Sequence, residues 1–237
     1  METFKEFKER INSFQKRTLD LGNEYFKVNQ SLAQKVGKDN KFKNFYGDTV
    51  VFALDSAVKQ KLSEWSDLLY VKAPECFCER LASPYFHMTL HDLSGSASLT
   101  GLSDTMSGNQ LKITEKREEI QKFANCKIKV KSNYIFNMVG LSLVLGLQPA
   151  DGGGYRKLTE LYSVFDCIKP LSYPFTPHIT LAYFNVNGFS ARSAKILEET
   201  VNTLNKNQIE IELDADRLFY QRFTGMNGYK NIIKLCQ

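Results

Sequence analysis

The chain has 237 residues, 43% of them hydrophobic and 24% charged, with a net charge of +5, which suits one large domain or two closely packed lobes around a substantial core. No apolar run approaches the ~20 residues needed to cross a bilayer, and the opening METFKEFKER lacks the apolar stretch of a secretory signal, so a soluble cytoplasmic protein without a membrane partner is expected. Five irregularly spaced cysteines and only three histidines argue against a disulfide framework and against a His/Cys metal centre.

In chain order, Phe4, Phe7, Ile11, Phe14, Thr18, Leu21, Tyr25, Val28 and Leu32 recur at steps of three and four, predicting one amphipathic helix to about residue 36. Residues 1–40 are therefore expected as an N-terminal helical extension, and residues 41–237 as a single bilobal domain. Thr49–Leu54 reads as a strand, and Asp55 or Ser56 as the cap of a helix running to about Tyr70. A second strand ends in Phe86-His87-Met88-Thr89-Leu90-His91. Asp92 to Asn109 is rich in Ser, Gly and Thr and reads as a long loop, with a lid over a site as one role and an inert surface loop as the other. A helix from about Ile113 to Asn125 closes this half.

Lys127-Ile128-Lys129-Val130-Lys131 alternates as a strand with its lysines on one face. Leu141–Leu147 is a strand expected to pair with the segment ending near Phe136. Asp151-Gly152-Gly153-Gly154 turns into a helix from Tyr155 to Cys167. Then come a strand His178–Phe184, a helix from about Ala191 to Asn205, and strands 209–213, 217–223 and 230–235. Strands arriving in adjacent pairs between helices predict an α+β fold with antiparallel sheets rather than a doubly wound parallel one.

Two segments share the pattern His-x-Thr-Leu: His87-Met88-Thr89-Leu90 and His178-Ile179-Thr180-Leu181. In a strand, residues two apart share a face, so each histidine stands beside a threonine while Met88, Leu90, Ile179 and Leu181 point into the core. Two such strands facing one cleft supply two imidazoles and two hydroxyls. Imidazole titrates near ~6.5, so one ring can accept a proton while the other donates one. The hydroxyls can bind the non-bridging oxygens of a phosphodiester. None of these roles requires a metal or an organic cofactor, and neither is expected.

This pair of motifs resembles the 2H phosphoesterase superfamily, over the chain from about Gly47 onward. That family includes enzymes acting on 2′,3′-cyclic phosphates, the bacterial enzymes called RNA 2′,5′-ligases, and hydrolases of 2′,5′-oligoadenylate. The resemblance implies a bilobal, pseudo-symmetric α+β fold with antiparallel sheets flanking a central cleft. It also implies an acid–base pair, His87 and His178, with Thr89 and Thr180 as phosphate ligands.

The expected activity is metal-independent cleavage of a phosphodiester that involves a ribose 2′-oxygen, with a nucleotide or RNA as substrate. The alternative is a catalytically silent nucleotide- or RNA-binding module using the same cleft. Tyr85, two residues before His87, is the candidate contact for a base or ribose; Tyr173, Phe175 and Tyr183 lie near the second motif. His91 is either a surface histidine or a distal substrate contact. The oligomeric state stays open, a monomer being the simpler expectation.

Overall fold

The computed structural model describes residues 2–17, 19 and 25–236. Helix α1 (Phe4–Asn12) opens on a capping box in which Thr3 and Glu6 satisfy each other's backbone N–H groups, and a tight 3₁₀ turn, Ser13–Arg17, follows it. The chain then forms β1 (Tyr25–Phe26), β2 (Tyr46–Ala53), α2 (Ser56–Lys72), β3 (His87–Ser96), α3 (Leu102–Glu115) and α4 (Arg117–Gln121). The second half forms β4 (Lys127–Met138), β5 (Ser142–Pro149), α5 (Gly152–Asp166), β6 (His178–Tyr183), β7 (Phe189–Ser190) and α6 (Ala191–Leu204). Strands β8 (Glu210–Asp214), β9 (Leu218–Phe223) and β10 (Tyr229–Lys234) end it. No helix among these is long and apolar enough to cross a membrane.

Two four-stranded antiparallel sheets carry the fold, in the orders β10-β9-β2-β3 and β6-β5-β4-β8. The α+β, two-lobed reading holds. Each half threads a strand, a helix and an antiparallel partner strand: β2-α2-β3 in one, β5-α5-β6 in the other. The strands that carry the two His-x-Thr motifs are therefore the edge strands β3 and β6, and these two edges lie against each other. An edge presents unpaired backbone groups that must be covered; here each motif edge is covered by the other half. The helices cross over as well, α2 packing on β6 and α6, and α5 on β3. One continuous apolar core joins the two sheets, and Phe7, Ile11 and Tyr155 form a small satellite core beneath α1.

The expected 36-residue helix is a helix only over 4–12. Of its predicted apolar stripe, Phe7 and Ile11 are buried, Phe14 falls in the 3₁₀ turn, and Thr18 and Leu21 lie outside the described residues. Tyr25 and Phe26 pair instead with Ser190 and Phe189, where Phe26 stacks on Phe189 at 4.6 Å. Leu32 is buried in a separate 3₁₀ turn capped by the Asn29 side chain. Tertiary pairing offers these side chains more burial than one long helix, and local periodicity yields to it.

The expected loop from Asp92 to Asn109 is not a loop either. β3 runs on to Ser96, where Gly47 pairs with Gly95 and Tyr46 with Ser96, and α3 begins at Leu102 rather than near Ile113. Its hydroxyls bond back to the preceding turn, Thr105 to Gly101 O and Ser107 to Ser103 O, while Leu102, Met106, Asn109 and Ile113 form its buried face. A residue composition that reads as loop is accommodated here by helical back-bonding. The lid reading is withdrawn with the loop. The lysines of β4 are matched across the sheet, Lys129 opposite Glu212 and Lys131 opposite Glu210, with Lys127 bonded to Glu212 at 2.7 Å. They form no basic stripe.

Candidate active site between the two sheets

One cavity of about 990 Å³ is lined by His87, Thr89, His178 and Thr180 together. All four side chains are half-buried, while Met88, Leu90, Ile179 and Leu181 are fully buried on the other face. This alternation fixes the register, because a one-residue slip would bury the polar set.

Each histidine is held in the same way. His87 Nδ1 lies 2.7 Å from the carbonyl of Tyr85, and His178 Nδ1 lies 2.7 Å from the carbonyl of Thr176. A carbonyl only accepts, so Nδ1 carries the hydrogen in both rings and each Nε2 is the free acceptor. Burial pushes the His87 imidazole down to about 4, against the opposing pull of the Tyr85 carbonyl and the Asp92 carboxylate. The charge of His178 acts on it in the same downward sense, as expected of two rings sharing one hollow. His178 is also lowered, by burial first, with the Thr176 carbonyl and Asp92 opposing.

Beyond each motif the strand carries one extra residue. Val50 pairs with His91 and Val51 with Thr89, leaving Leu90 as a bulge; Leu143 pairs with Ala182 and Val144 with Thr180, leaving Leu181. The bulges occupy the same place in the two halves. A bulge reverses the alternation beyond it, so Asp92 and Tyr183 face the cleft, Ala182 turns into the core and His91 is left buried in the cavity wall. His91 is buried against the Tyr162 ring at 4.9 Å, with Nε2 3.4 Å from Asp166. It is not a surface histidine. Its ring lies in the wall of the cavity, and burial depresses its titration.

Tyr85 does not share the strand face of His87, since it closes the 3₁₀ turn Ser83–Tyr85 before the strand begins. It reaches the cleft all the same, beside Tyr229, whose ring is 4.8 Å from that of His87. Tyr173, Phe175 and Tyr183 also line the cavity. Tyr173 donates to Asp92 Oδ2 at 3.1 Å, and Phe175 stacks on Tyr162 at 4.5 Å.

Asp92, Lys35, Tyr229 and Arg10 are among the lining residues that the sequence reading does not assign to the site. Lys35 extends over the rings of Phe45 and Tyr183, 5.0 and 5.6 Å from their centroids. Burial lowers its ammonium titration while Asp92 holds it up. Its place in the cleft was hidden by an apolar spacing that reads as one helix to about residue 36. Asp92 was hidden by the bulge.

Among the described residues no group of three or more His, Cys, Asp or Glu side chains converges as a metal-binding set would. All five cysteines are free thiols, and burial raises those of Cys76 and Cys78 to about 12, which leaves them protonated and poor as nucleophiles.

No protein-family model matches the chain, and no curated protein sequence matches it. Among solved structures, the conserved protein of unknown function ATU0111 from Agrobacterium tumefaciens str. C58 is similar over 88% of this chain and 94% of its own, with a TM-score of 0.63 and 14% identity. The two share a fold. Escherichia coli LigT in its apo form is similar over 82% of this chain and 100% of its own, at 14% identity and a TM-score of 0.48. The protein TT0787 of Thermus thermophilus is similar over 79% of this chain and 96% of its own, at 14% identity and a TM-score of 0.49.

Proposed function

We propose that this chain is a 2H-type phosphodiesterase that needs no metal and cleaves a phosphodiester involving a ribose 2′-oxygen. The substrate classes are a 2′,3′-cyclic phosphate, a 2′,5′-linked oligonucleotide or a small cyclic nucleotide. The observation that carries the reading is the matched pair of imidazoles, each anchored through Nδ1 to a carbonyl two residues back, each with Nε2 free in one cavity.

In the proposed step, water attacks phosphorus and gives its proton to Nε2 of His87. The bond from phosphorus to the ribose oxygen breaks, and that oxygen takes a proton from Nε2 of His178. Burial lowers the His87 imidazole to about 4, which leaves it neutral and able to act as the base; His178, lowered by burial as well, is its partner acid in this step. A bound phosphodiester anion raises both rings and charges the acid when it is needed. Thr89 and Thr180 donate to the non-bridging oxygens, and Lys35 adds positive charge along one wall. Tyr85 and Tyr229 form an aromatic wall beside His87 that suits a base or ribose.

The test is a panel of 2′,3′-cyclic, 2′,5′-linked and 3′,5′-linked substrates assayed with a chelator present. Turnover that survives chelation and is lost in both His87→Ala and His178→Ala supports the enzyme. Nucleotide binding without turnover by the unaltered protein replaces it with a silent binding module.

A further inference from the structure

The carbonyls that anchor the two histidines belong to short segments, and each segment is gripped by a cation one residue earlier. In the first half, Lys59 on α2 donates to the carbonyl of Pro84 at 2.6 Å, and the next residue, Tyr85, receives the His87 Nδ1 hydrogen. In the second half, Arg10 on α1 donates to the carbonyl of Phe175 at 2.8 Å, and the next residue, Thr176, receives the His178 hydrogen. Arg10 holds Thr176 a second time, through its hydroxyl at 3.1 Å. The cation thus meets the residue three before the histidine in both halves, although the two come from unrelated elements.

Arg10 is itself fixed. Glu2 binds its guanidinium through two oxygens at 2.8 and 2.9 Å, a fork geometry that resists rotation. The Glu2 carbonyl accepts from the Tyr155 hydroxyl at 2.6 Å, and Phe4 and Phe7 pack on the Tyr155 ring at 5.2 and 5.1 Å. An unbroken chain of contacts runs from α5 through Tyr155, Glu2 and Arg10 to the segment that orients His178. Segment 174–177 is without regular secondary structure; Leu147 N–H holds the Pro177 carbonyl at 2.9 Å and Tyr162 stacks on Phe175, while Arg10 holds the Phe175 carbonyl and the Thr176 hydroxyl between them.

We infer that Arg10 is a positioning residue for His178, and Lys59 its counterpart for His87, each locking the carbonyl that selects the Nδ1–H tautomer of its ring. This gives α1 a task in the site, and it rests on the reading of these rings as the proton-transfer pair. A free neutral imidazole samples both tautomers, and only the Nδ1–H form leaves Nε2 open toward the cleft, to accept the nucleophile's proton at His87 and to load the proton that His178 later donates.

The test is long-range ¹⁵N–¹H NMR of histidine-labelled full-length protein, which reads the tautomer of each ring without turnover. In Arg10→Gln, the His178 signals move from a single Nδ1–H form toward a mixture while those of His87 stay in place; in Lys59→Met the pattern reverses. Arg10→Lys, which can still reach one of the two acceptors, falls between. In the assay, Arg10→Gln lowers kcat about tenfold with KM changed less than about twofold, the size expected for a displaced reacting group. An unchanged His178 tautomer in Arg10→Gln overturns the inference. So does a change in both rings together, which marks general loosening. If the unaltered protein cleaves no phosphodiester, the functional reading fails while the ring signals still decide this one.

Discussion

Asp92 and Tyr183 are counterparts: each stands five residues after its histidine, just beyond a one-residue bulge, and each faces the cleft. The halves agree in their imidazoles, hydroxyls and bulges and diverge here, where one presents a carboxylate and the other a phenol. The divergence makes the two ends of the site electrostatically unequal. Asp92 favours the charged forms of His87, His178 and Lys35 alike.

Removing that carboxylate tests its influence directly. In Asp92→Asn, both imidazoles lose a stabilising partner for their protonated forms, so both titrate lower. The alkaline limb of kcat/KM, set by the ring that must arrive protonated, moves to lower pH, and activity at neutral pH falls. A pH–rate profile superimposable on that of the unaltered enzyme would falsify this role for Asp92.

The same reasoning places the optimum of the unaltered enzyme. A base titrating at about 4 must be neutral, and an acid lowered from its ordinary ~6.5 must be protonated. The kcat/KM profile, which reports the free enzyme, is therefore bell-shaped with its maximum on the acid side of neutrality. The kcat profile lies higher in pH, because the bound phosphodiester anion favours both imidazolium forms. A kcat/KM that keeps climbing above about pH 7 contradicts the assignment.

Substitution of the four motif residues should sort into two grades. His87→Ala and His178→Ala each remove one proton transfer, worth about 10²–10⁴ in kcat. Thr89→Ala and Thr180→Ala each remove one donor to charge that builds up in the transition state, worth up to about 10²–10³. Steady-state kinetics on one cyclic phosphate measures all four. Equal, small losses across the set would point to a binding cleft and not to a catalytic one.

How far the chain announced this site depended on the range of the interactions involved. The faces of His87, Thr89, His178 and Thr180 follow from alternation within a few residues, which any strand obeys. The reversal after Leu90 and Leu181 follows from the partners Val50–Val51 and Leu143–Val144, far away in the chain, and nothing local signals it. Tyr85 reached the cleft by a turn and not by the strand face assigned to it. Lys35 and Arg10 lay in a segment whose apolar spacing fits a single helix; Arg10 does fall on α1, but Tyr25–Phe26 pairs with Phe189–Ser190 and Leu32 sits in a separate 3₁₀ turn, so Lys35 is placed by tertiary contacts.

Stability should depend on pH through the same buried rings. The folded form holds His87, His178 and His91 below the unfolded value of ~6.5, so the unfolded chain binds more protons as the pH falls. Stability is full above about 6.5 and declines from there toward about 4, the folded value for His87. That ring alone contributes at most roughly 3 kcal/mol of the decline. Urea denaturation at about pH 7.5 and about pH 5 measures it, and His91→Phe, which removes a buried imidazole that faces Asp166 and Tyr162, should flatten the dependence. Equal stability at both pH values would mean that the rings are solvated.

Behind the first lobe lies a network built on one buried carboxylate. Asp48 is 1% exposed and accepts from Ser94 Oγ at 2.5 Å, Asn109 Nδ2 at 3.1 Å and Tyr220 Oη at 2.9 Å. It thereby ties β2 to β3, β9 and α3 at one point. In Asp48→Ala, Ser94, Asn109 and Tyr220 lose this acceptor; the Tyr220 hydroxyl still has the Met106 carbonyl at 3.1 Å, but the Asn109 amide is buried, where an unmet donor costs about 1–3 kcal/mol. The summed loss is about 2–4 kcal/mol after partial relaxation, or roughly 5–15 °C in Tm for a chain of this size. Asp48→Asn keeps one acceptor oxygen and should lose about half as much. None of these groups touches His87 or His178, so kcat measured well below the lowered Tm should stay within about twofold. A large fall in kcat with Tm unchanged would instead assign Asp48 to the site.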